Sequence, residues 1–342
     1  MQSTERKNRN GFYLSYIYTM IVIVSQENDS STNDVMDWLY AWNKKVVRIN
    51  ETDTINSFSL QIDDNDLSLI FRCGNKEFKI SDVDYFWFRR GGFVFDVSFL
   101  TKIEPHFYTY LKEHLSDECN TMKDFLVYLL NKKPSLGNYY QGNANKLISL
   151  YVAQKVGMEI PNTIISSAKE DLLHFYKNQK SSITKFIQDV LCFNCQGYRY
   201  YTNTSLVEKN DIKKMRGTFF PSLLQKEIHK RYELRIFYLK GKCYSMAIFS
   251  QEDKQTVIDF RNYNDQIPNR YVPYKLPHNI EDKIDKFMHK MNLDTGSIDM
   301  IVTPDLKYIF LEVNPVGQYD MVSVPCNYYL HKKIAQTISN NE

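Results

Sequence analysis

Residues 296–318, GSIDMIVTPDLKYIFLEVNPVGQ, decide how the chain is read. A strand over 296–302, a turn at Pro304-Asp305 and a second strand over 308–313 form a hairpin, since apolar residues alternate on both arms and proline with aspartate marks the reversal. Side chains two apart on a strand share a face, so Glu312 and Asn314 point together, and an antiparallel neighbour can present Asp299 beside them. Two carboxylates and an amide oxygen suit Mg²⁺, which takes a few protein oxygens and completes its octahedron with water and phosphate. The alternative is the solvent face of an amphipathic strand. Placement at the end of an apolar Ile-Phe-Leu run, followed by Pro315, Gly317 and Gln318, favours the metal.

Working outward, strands at 232–239 and 242–249 are joined by Lys240-Gly241, whose glycine permits the turn. A loop-rich stretch at 250–278 leads to a helix over 280–291, and a last helix is expected over 327–339. Upstream, Asn145-Lys146 opens a helix that Gly157 closes, and a strand at 160–165 is entered through Pro161. A helix at 169–180 and strands at 183–187, 198–201 and 222–228 complete that region. Further upstream, strand, helix, strand over 21–24, 33–42 and 46–49 predicts a parallel pair in a small α/β domain that ends near Gly91-Gly92. Two connecting helices are expected over 104–133, split by the polar run 116–120 and ended by Pro134.

A nucleotide needs cations for its phosphates. Lys146 stands at a helix entrance and Lys185 within the expected strand 183–187, where a solvent-facing lysine is the alternative. Arg235 offers a guanidinium fork with paired donors. The segment 224–228 is a candidate edge for adenine, with Glu227 reaching toward ribose.

Composition sets limits. The 342 residues allow two or three compact units, and 43% hydrophobic with 24% charged residues is ordinary for a folded protein. A net charge of +3 does not call for nucleic acid, and no partner of that kind is expected. Six cysteines without a secretory signal read as reduced thiols in a cytoplasm. The one CxxC, Cys192 to Cys195, lacks the second pair that a zinc site needs and is read as part of a hairpin. The apolar run 12–24 is too short and too polar to span a bilayer, and 20–25 reads as a buried strand, with 1–19 an extension and Met20 the functional start.

The ordered set Asn145-Lys146, Gly157, residues 160–163, Lys185, residues 225–228, Glu233-Leu-Arg235, Asp299 and Glu312-Val-Asn314-Pro315 resembles the ATP-grasp superfamily over about 140–330. Within it the chain is similar to graspetide synthetases, the microviridin-type and grasp-with-spasm peptide maturases, on Phe86-Trp-Phe-Arg89-Arg90-Gly-Gly92, residues 244–251, Asp259-Phe-Arg261-Asn-Tyr263 and 310–318. The resemblance implies an α/β (α+β) ATP-grasp fold: a pre-ATP-grasp domain over 20–103, connecting helices over 104–143, a central lobe over 144–228 and a C-terminal lobe with the magnesium site over 229–342. It implies an ADP-forming carboxylate ligase using ATP and Mg²⁺. Such an enzyme phosphorylates Asp or Glu side chains of a precursor peptide with leader and core, and closes ω-ester rings with Thr or Ser, or ω-amide rings with Lys.

Carried over by position, Lys146, Lys185, Gln225, Lys226, Glu227, Ile228 and Glu233 serve the nucleotide, Asp299, Glu312 and Asn314 the metal, and Asp259, Arg261 and Arg235 the reaction. Arg261 would neutralise the peptide carboxylate and acyl phosphate while Asp259 orients it or assists deprotonation of the nucleophile; an ordinary surface ion pair is the alternative. Arg89-Arg90 precede Gly-Gly where related enzymes commonly have proline, and read equally as a phosphate or acidic-peptide contact or as structural anchors. The loop 195–201 around Gly197 is the candidate lid. A homodimer is expected from the family. Two rival functions remain: a ligase that adds a free amino acid to a peptide or protein, and a non-catalytic peptide-binding module.

Overall fold

The computed structural model describes residues 20–64, 66–102, 104–188, 192–201, 204–251 and 268–339. The extension 1–19 and the Asp259–Arg261 element lie outside the described residues. The chain divides into two compact units, residues 1–139 with 331–342, and residues 140–330.

The first unit runs β1 (Met20–Ser25), α1 (Ser30–Ala41), β2 (Lys45–Asn50), β3 (Thr54–Ile62), β4 (Leu67–Cys73), β5 (Lys76–Lys79), β6 (Val83–Phe88), β7 (Val94–Phe95), α2 (Pro105–Leu130) and β8 (Ser135–Leu136). The sheet β2-β1-β6-β8 is parallel, as the strand, helix, strand pattern predicts. Every residue of β1 is buried, because a strand inside a parallel sheet is covered on both faces and must be apolar throughout. A second sheet, β5-β4-β3-β7, stacks Phe71 on Phe78 with ring centroids 4.8 Å apart.

The connecting segment corrects the sequence reading. One helix, Pro105–Leu130, replaces the expected two. Its first half is exposed, so the polar run at 116–120 interrupts no buried face; Leu126, Val127 and Leu130 alone anchor it fully. Pro105 opens it at a position where a missing amide hydrogen costs nothing.

The second unit begins with α3 (Lys146–Lys155), β9 (Thr163–Ala168), α4 (Lys169–Gln179), β10 (Ser182–Thr184), β11 (Cys192–Cys195), β12 (Tyr198–Tyr201), β13 (Ser205–Val207), α5 (Lys209–Lys214) and β14 (Thr218–Lys226). Sheet β13-β10-β14-β9 is antiparallel, and β11-β12 is a separate hairpin. Here strand limits shift. Pro161 lies outside β9, having no amide hydrogen to donate. Strand β10 ends at Thr184, short of the expected 187, and β14 spans 218–226 rather than 222–228.

The unit continues through β15 (Tyr232–Leu239), β16 (Lys242–Phe249), β17 (Arg270–Tyr274), α6 (His278–Lys290), β18 (Thr295–Val302), β19 (Tyr308–Asn314) and α7 (Asp320–Cys326); α8 (Leu330–Ser339) closes the described chain. The expected helix 327–339 is α8, which starts at Leu330 because Asn327 and Tyr329 have φ of +54° and +53°, a left-handed backbone that a right-handed helix does not tolerate; α7 is a further helix that the sequence reading did not expect.

Antiparallel sheet β17-β16-β15-β18-β19 positions the site. One face, with Leu234, Ile236, Ile298, Met300 and Phe310, is sealed by Ile280, Ile284, Phe287 and Met288 of α6 and by Leu150 and Ala153 of α3. Because strand side chains alternate, Glu233, Arg235 and Asp299 point to the opposite face. No described helix is long and apolar enough to cross a membrane.

Candidate active site

On that opposite face three strands align one charged residue each. Arg235 on β15 is in register with Asp299 on β18, and Asp299 with Glu312 on β19. Arg235 Nη1 reaches both carboxylate oxygens of Asp299 at 2.5 Å. Lys146 Nζ lies 3.3 Å from Glu312 Oε2. Lys146 is carried there by α3, whose amides at Leu147 and Ile148 donate to Asn145 Oδ1 at 3.0 and 3.1 Å. Gly157, at φ +80°, follows the last turn.

Asn314 lies two residues along β19 from Glu312, opposite Ser297. Its Oδ1 accepts from Val316 N at 3.1 Å and its carbonyl from Gly317 N at 3.0 Å, so it shapes the turn that leaves the strand. A Cβ at Gly317 would overlap the Ser297 side chain, so only glycine lets this turn close against β18.

The three oxygen-bearing residues thus share one sheet face, as the sequence predicts. Among the described residues no group of three or more His, Cys, Asp and Glu gathers, so two carboxylates with an amide are the set on offer. That hard-oxygen chemistry fits magnesium and not a thiolate-loving ion. Arg235 Nε is buried and has no hydrogen-bond partner among the described residues, a donor in place for a further acceptor.

The other expected residues are placed more variously. Lys185 is half-buried one residue past β10, not within a strand. Gln225 is buried and donates from Nε2 to Thr163 Oγ1 at 2.9 Å. The amides of Lys226 and Glu227 donate to the carbonyls of Asn162 at 2.8 Å and Ser181 at 3.3 Å. The Glu227 carboxylate accepts from Ser181 Oγ, and Ile228 lies just beyond the strand, half-buried. Glu233 is held by Lys230, with Ser250 Oγ at 3.4 Å. Sequence reasoning missed Lys230, which sits in a loop between strands with no periodicity to mark it.

Arg89 and Arg90 converge on Asp29, with Nε atoms 3.1 and 3.4 Å from its Oδ2. Asp29 also accepts from Ser31 Oγ at 2.9 Å and Thr32 Oγ1 at 3.0 Å. Burial pushes the Asp29 carboxyl up, but the two guanidiniums and two hydroxyls outweigh it and hold the group below its ordinary value.

In the hairpin β11-β12 the tip residues Gln196 and Gly197 both have positive φ, +51° and +81°, the geometry of a tight two-residue turn. All six cysteines are free. Burial pushes the thiols of Cys73 and Cys243 up to about 12 and that of Cys326 to about 11, which removes these three as thiolate nucleophiles at neutral pH.

No protein-family model matches the sequence, and no curated protein matches it. Solved structures do. A RiPP-associated ATP-grasp ligase of Chryseobacterium gregarium, in complex with ADP and a leader and core peptide, is 23% identical with a TM-score of 0.81, covering 95% of this chain and 97% of that one. Macrocyclase MdnC of Microcystis aeruginosa, bound with precursor peptide MdnA, is 26% identical with a TM-score of 0.75, covering 94% and 100%. ATP-grasp ligase PsnB, complexed with minimal precursor, Mg and ADP, is 12% identical with a TM-score of 0.66, covering 94% and 97%. The chain has the fold of ATP-grasp ligases and is similar along nearly its whole length to RiPP-associated ligases and macrocyclases.

Proposed function

We propose that this chain uses ATP and Mg²⁺ to phosphorylate Asp or Glu side chains of a ribosomally made precursor peptide, and then closes ω-ester rings with Thr or Ser, or ω-amide rings with Lys. The observation that carries it is the row Arg235, Asp299, Glu312 with Lys146 at its end, on the open face of the C-terminal sheet. Support also comes from the solved relatives, which hold ADP, magnesium and precursor peptides.

Asp299, Glu312 and Asn314 would hold magnesium, which supplies positive charge against the triphosphate when bound. Arg235, Lys146 and Lys185 would fix the phosphates, and Gln225, Lys226, Glu227, Ile228 and Glu233 would line the nucleoside end. A peptide carboxylate oxygen then attacks the γ-phosphorus, the bond to the bridging oxygen breaks, and ADP leaves. The hydroxyl or amine of the same peptide attacks the acyl carbon, loses its proton and expels inorganic phosphate. Arg261 would stabilise the acyl phosphate and Asp259 orient it or take the proton. The hairpin β11-β12 would exclude water while the acyl phosphate exists.

The reading includes cytoplasmic placement and a homodimer; Phe107, Tyr110 and Leu111, exposed on α2, support the dimer, and sedimentation of the full chain checks it. Incubation with ATP and a short peptide encoded beside the gene, rich in Thr and Glu or Asp, tests the activity by intact mass. Loss of one water per ring is expected. Gain of one amino-acid residue would replace macrocyclisation with ligation, and ATP-binding without any mass change would leave only a peptide-binding module.

A further inference from the structure

The Arg235 contact with Asp299 has an unusual form. A single nitrogen, Nη1, lies 2.5 Å from both oxygens, which is where a cation chelated by that carboxylate would sit. Lys146 Nζ stands 3.3 Å from one oxygen of Glu312, Oε2, a looser contact. These are the two carboxylates read as magnesium ligands, and each already has a cation of its own.

We propose that Arg235 and Lys146 are place-holding cations, which keep the carboxylates until nucleotide phosphate draws them away, so that the chain takes up divalent metal with nucleotide and scarcely without it. This rests on the reading of Asp299 and Glu312 as metal ligands.

Charge and burial carry the argument. The Arg235 and Asp299 side chains are only 13% and 18% exposed, and those of Lys146 and Glu312 both 24%. Among the described residues of this row, two cations face two carboxylates. A divalent ion arriving alone would push both cations off these carboxylates within a partly dehydrated site, which is costly. Nucleotide phosphates bring the anions that Arg235 and Lys146 then need, and the buried Nε of Arg235 is a donor poised for one of their oxygens. Metal and nucleotide must therefore favour each other's binding by the same factor. The coupling resides in a cation exchange and requires no movement of the strands.

The test is Mn²⁺ binding to the full chain, read by water-proton relaxation with and without ADP. In the unaltered chain ADP should tighten Mn²⁺ by about a hundredfold. Arg235→Gln should strengthen Mn²⁺ binding without ADP by about tenfold and shrink the gain from ADP by at least as much. Arg235→Lys, which keeps the charge, should stay near the unaltered chain. Lys146→Met, at the start of a helix where folding is safe, should act as Arg235→Gln does and decides the matter if Arg235→Gln does not fold. Unchanged Mn²⁺ affinity in both neutral variants without ADP would overturn the proposal. The metal reading fails separately: Asp299→Asn with Glu312→Gln would then leave Mn²⁺ binding with ADP intact.

Discussion

The molecule holds two arginine–carboxylate clusters whose surroundings set them apart. In the first unit Arg89 and Asp29 are 4% and 5% exposed at the side chain, and hydroxyls of Ser31 and Thr32 fill the remaining acceptor sites of Asp29. In the second unit Arg235 and Asp299 are 13% and 18% exposed and lie in a row with Glu312 and Lys146, whose side chains are both 24% exposed. A closed cluster, its carboxylate ringed by two guanidiniums and two hydroxyls, fixes the end of β6 to the start of α1. On the proposed function, a cluster open to solvent is arranged for something that arrives. On that reading similar residues serve stability in one place and chemistry in the other, and burial with local acceptors decides which.

The comparison breaks first at the open cluster. Asp299→Asn or Glu312→Gln should lower ATP-dependent peptide modification by about a thousandfold, since charge neutralisation of the phosphates carries much of phosphoryl transfer. The urea midpoint should hardly fall. A large loss of stability with activity per folded molecule intact would reverse the roles of the two clusters.

Next is the closed one. Arg89→Met removes the more buried of the two cations beside the Asp29 carboxylate and should cost about 3 kcal/mol in urea unfolding. The pH dependence follows from Asp29, whose folded value lies below the ordinary 3.8. Its contribution is complete above that ordinary value and lost as pH falls through the depressed folded one. Asp29→Asn should therefore flatten the acid limb of stability below about pH 4, read by unfolding across pH.

A smaller effect sharpens how the open site is held. Gly317→Ala should cost about 2 kcal/mol through overlap with Ser297, and Ser297→Gly in the same chain should restore most of it. Smallest is Asn145→Ala, which removes the α3 cap and should cost about 1 kcal/mol in thermal unfolding while weakening nucleotide binding slightly through Lys146.

The open site was the more legible of the two regions, for physical reasons. Alternation groups Glu312 with Asn314 and sets Asp299 beside them, so these three could be grouped from the sequence alone, whereas the register shift beside Asp299 that turns Phe310 to the core face breaks the alternation and left no signal. The Asn145 cap and Gly157 stop carry local signals that do not depend on distant packing. Burial of β1 was equally plain from its unbroken apolar run. Elsewhere the deciding interaction lies far along the chain. The partnership of Arg89 with Asp29 joins residues separated by α1 and five strands and leaves no periodic trace. The pairing of Lys230 with Glu233 depends on loop conformation. The exposed half of α2 needs no apolar stripe, so its polar run looked like a break, and the turn between α7 and α8 hinges on backbone angles of Asn327 and Tyr329 that composition does not encode.

The central claim is that a peptide carboxylate is activated by phosphate at the open face of the C-terminal sheet. Peptide carrying oxygen-18 in its Asp and Glu side chains tests it directly, by mass spectrometry of the inorganic phosphate released. One labelled oxygen in each phosphate is the predicted result, abolished with turnover in Asp299→Asn. Rings formed with release of unlabelled phosphate would contradict the account.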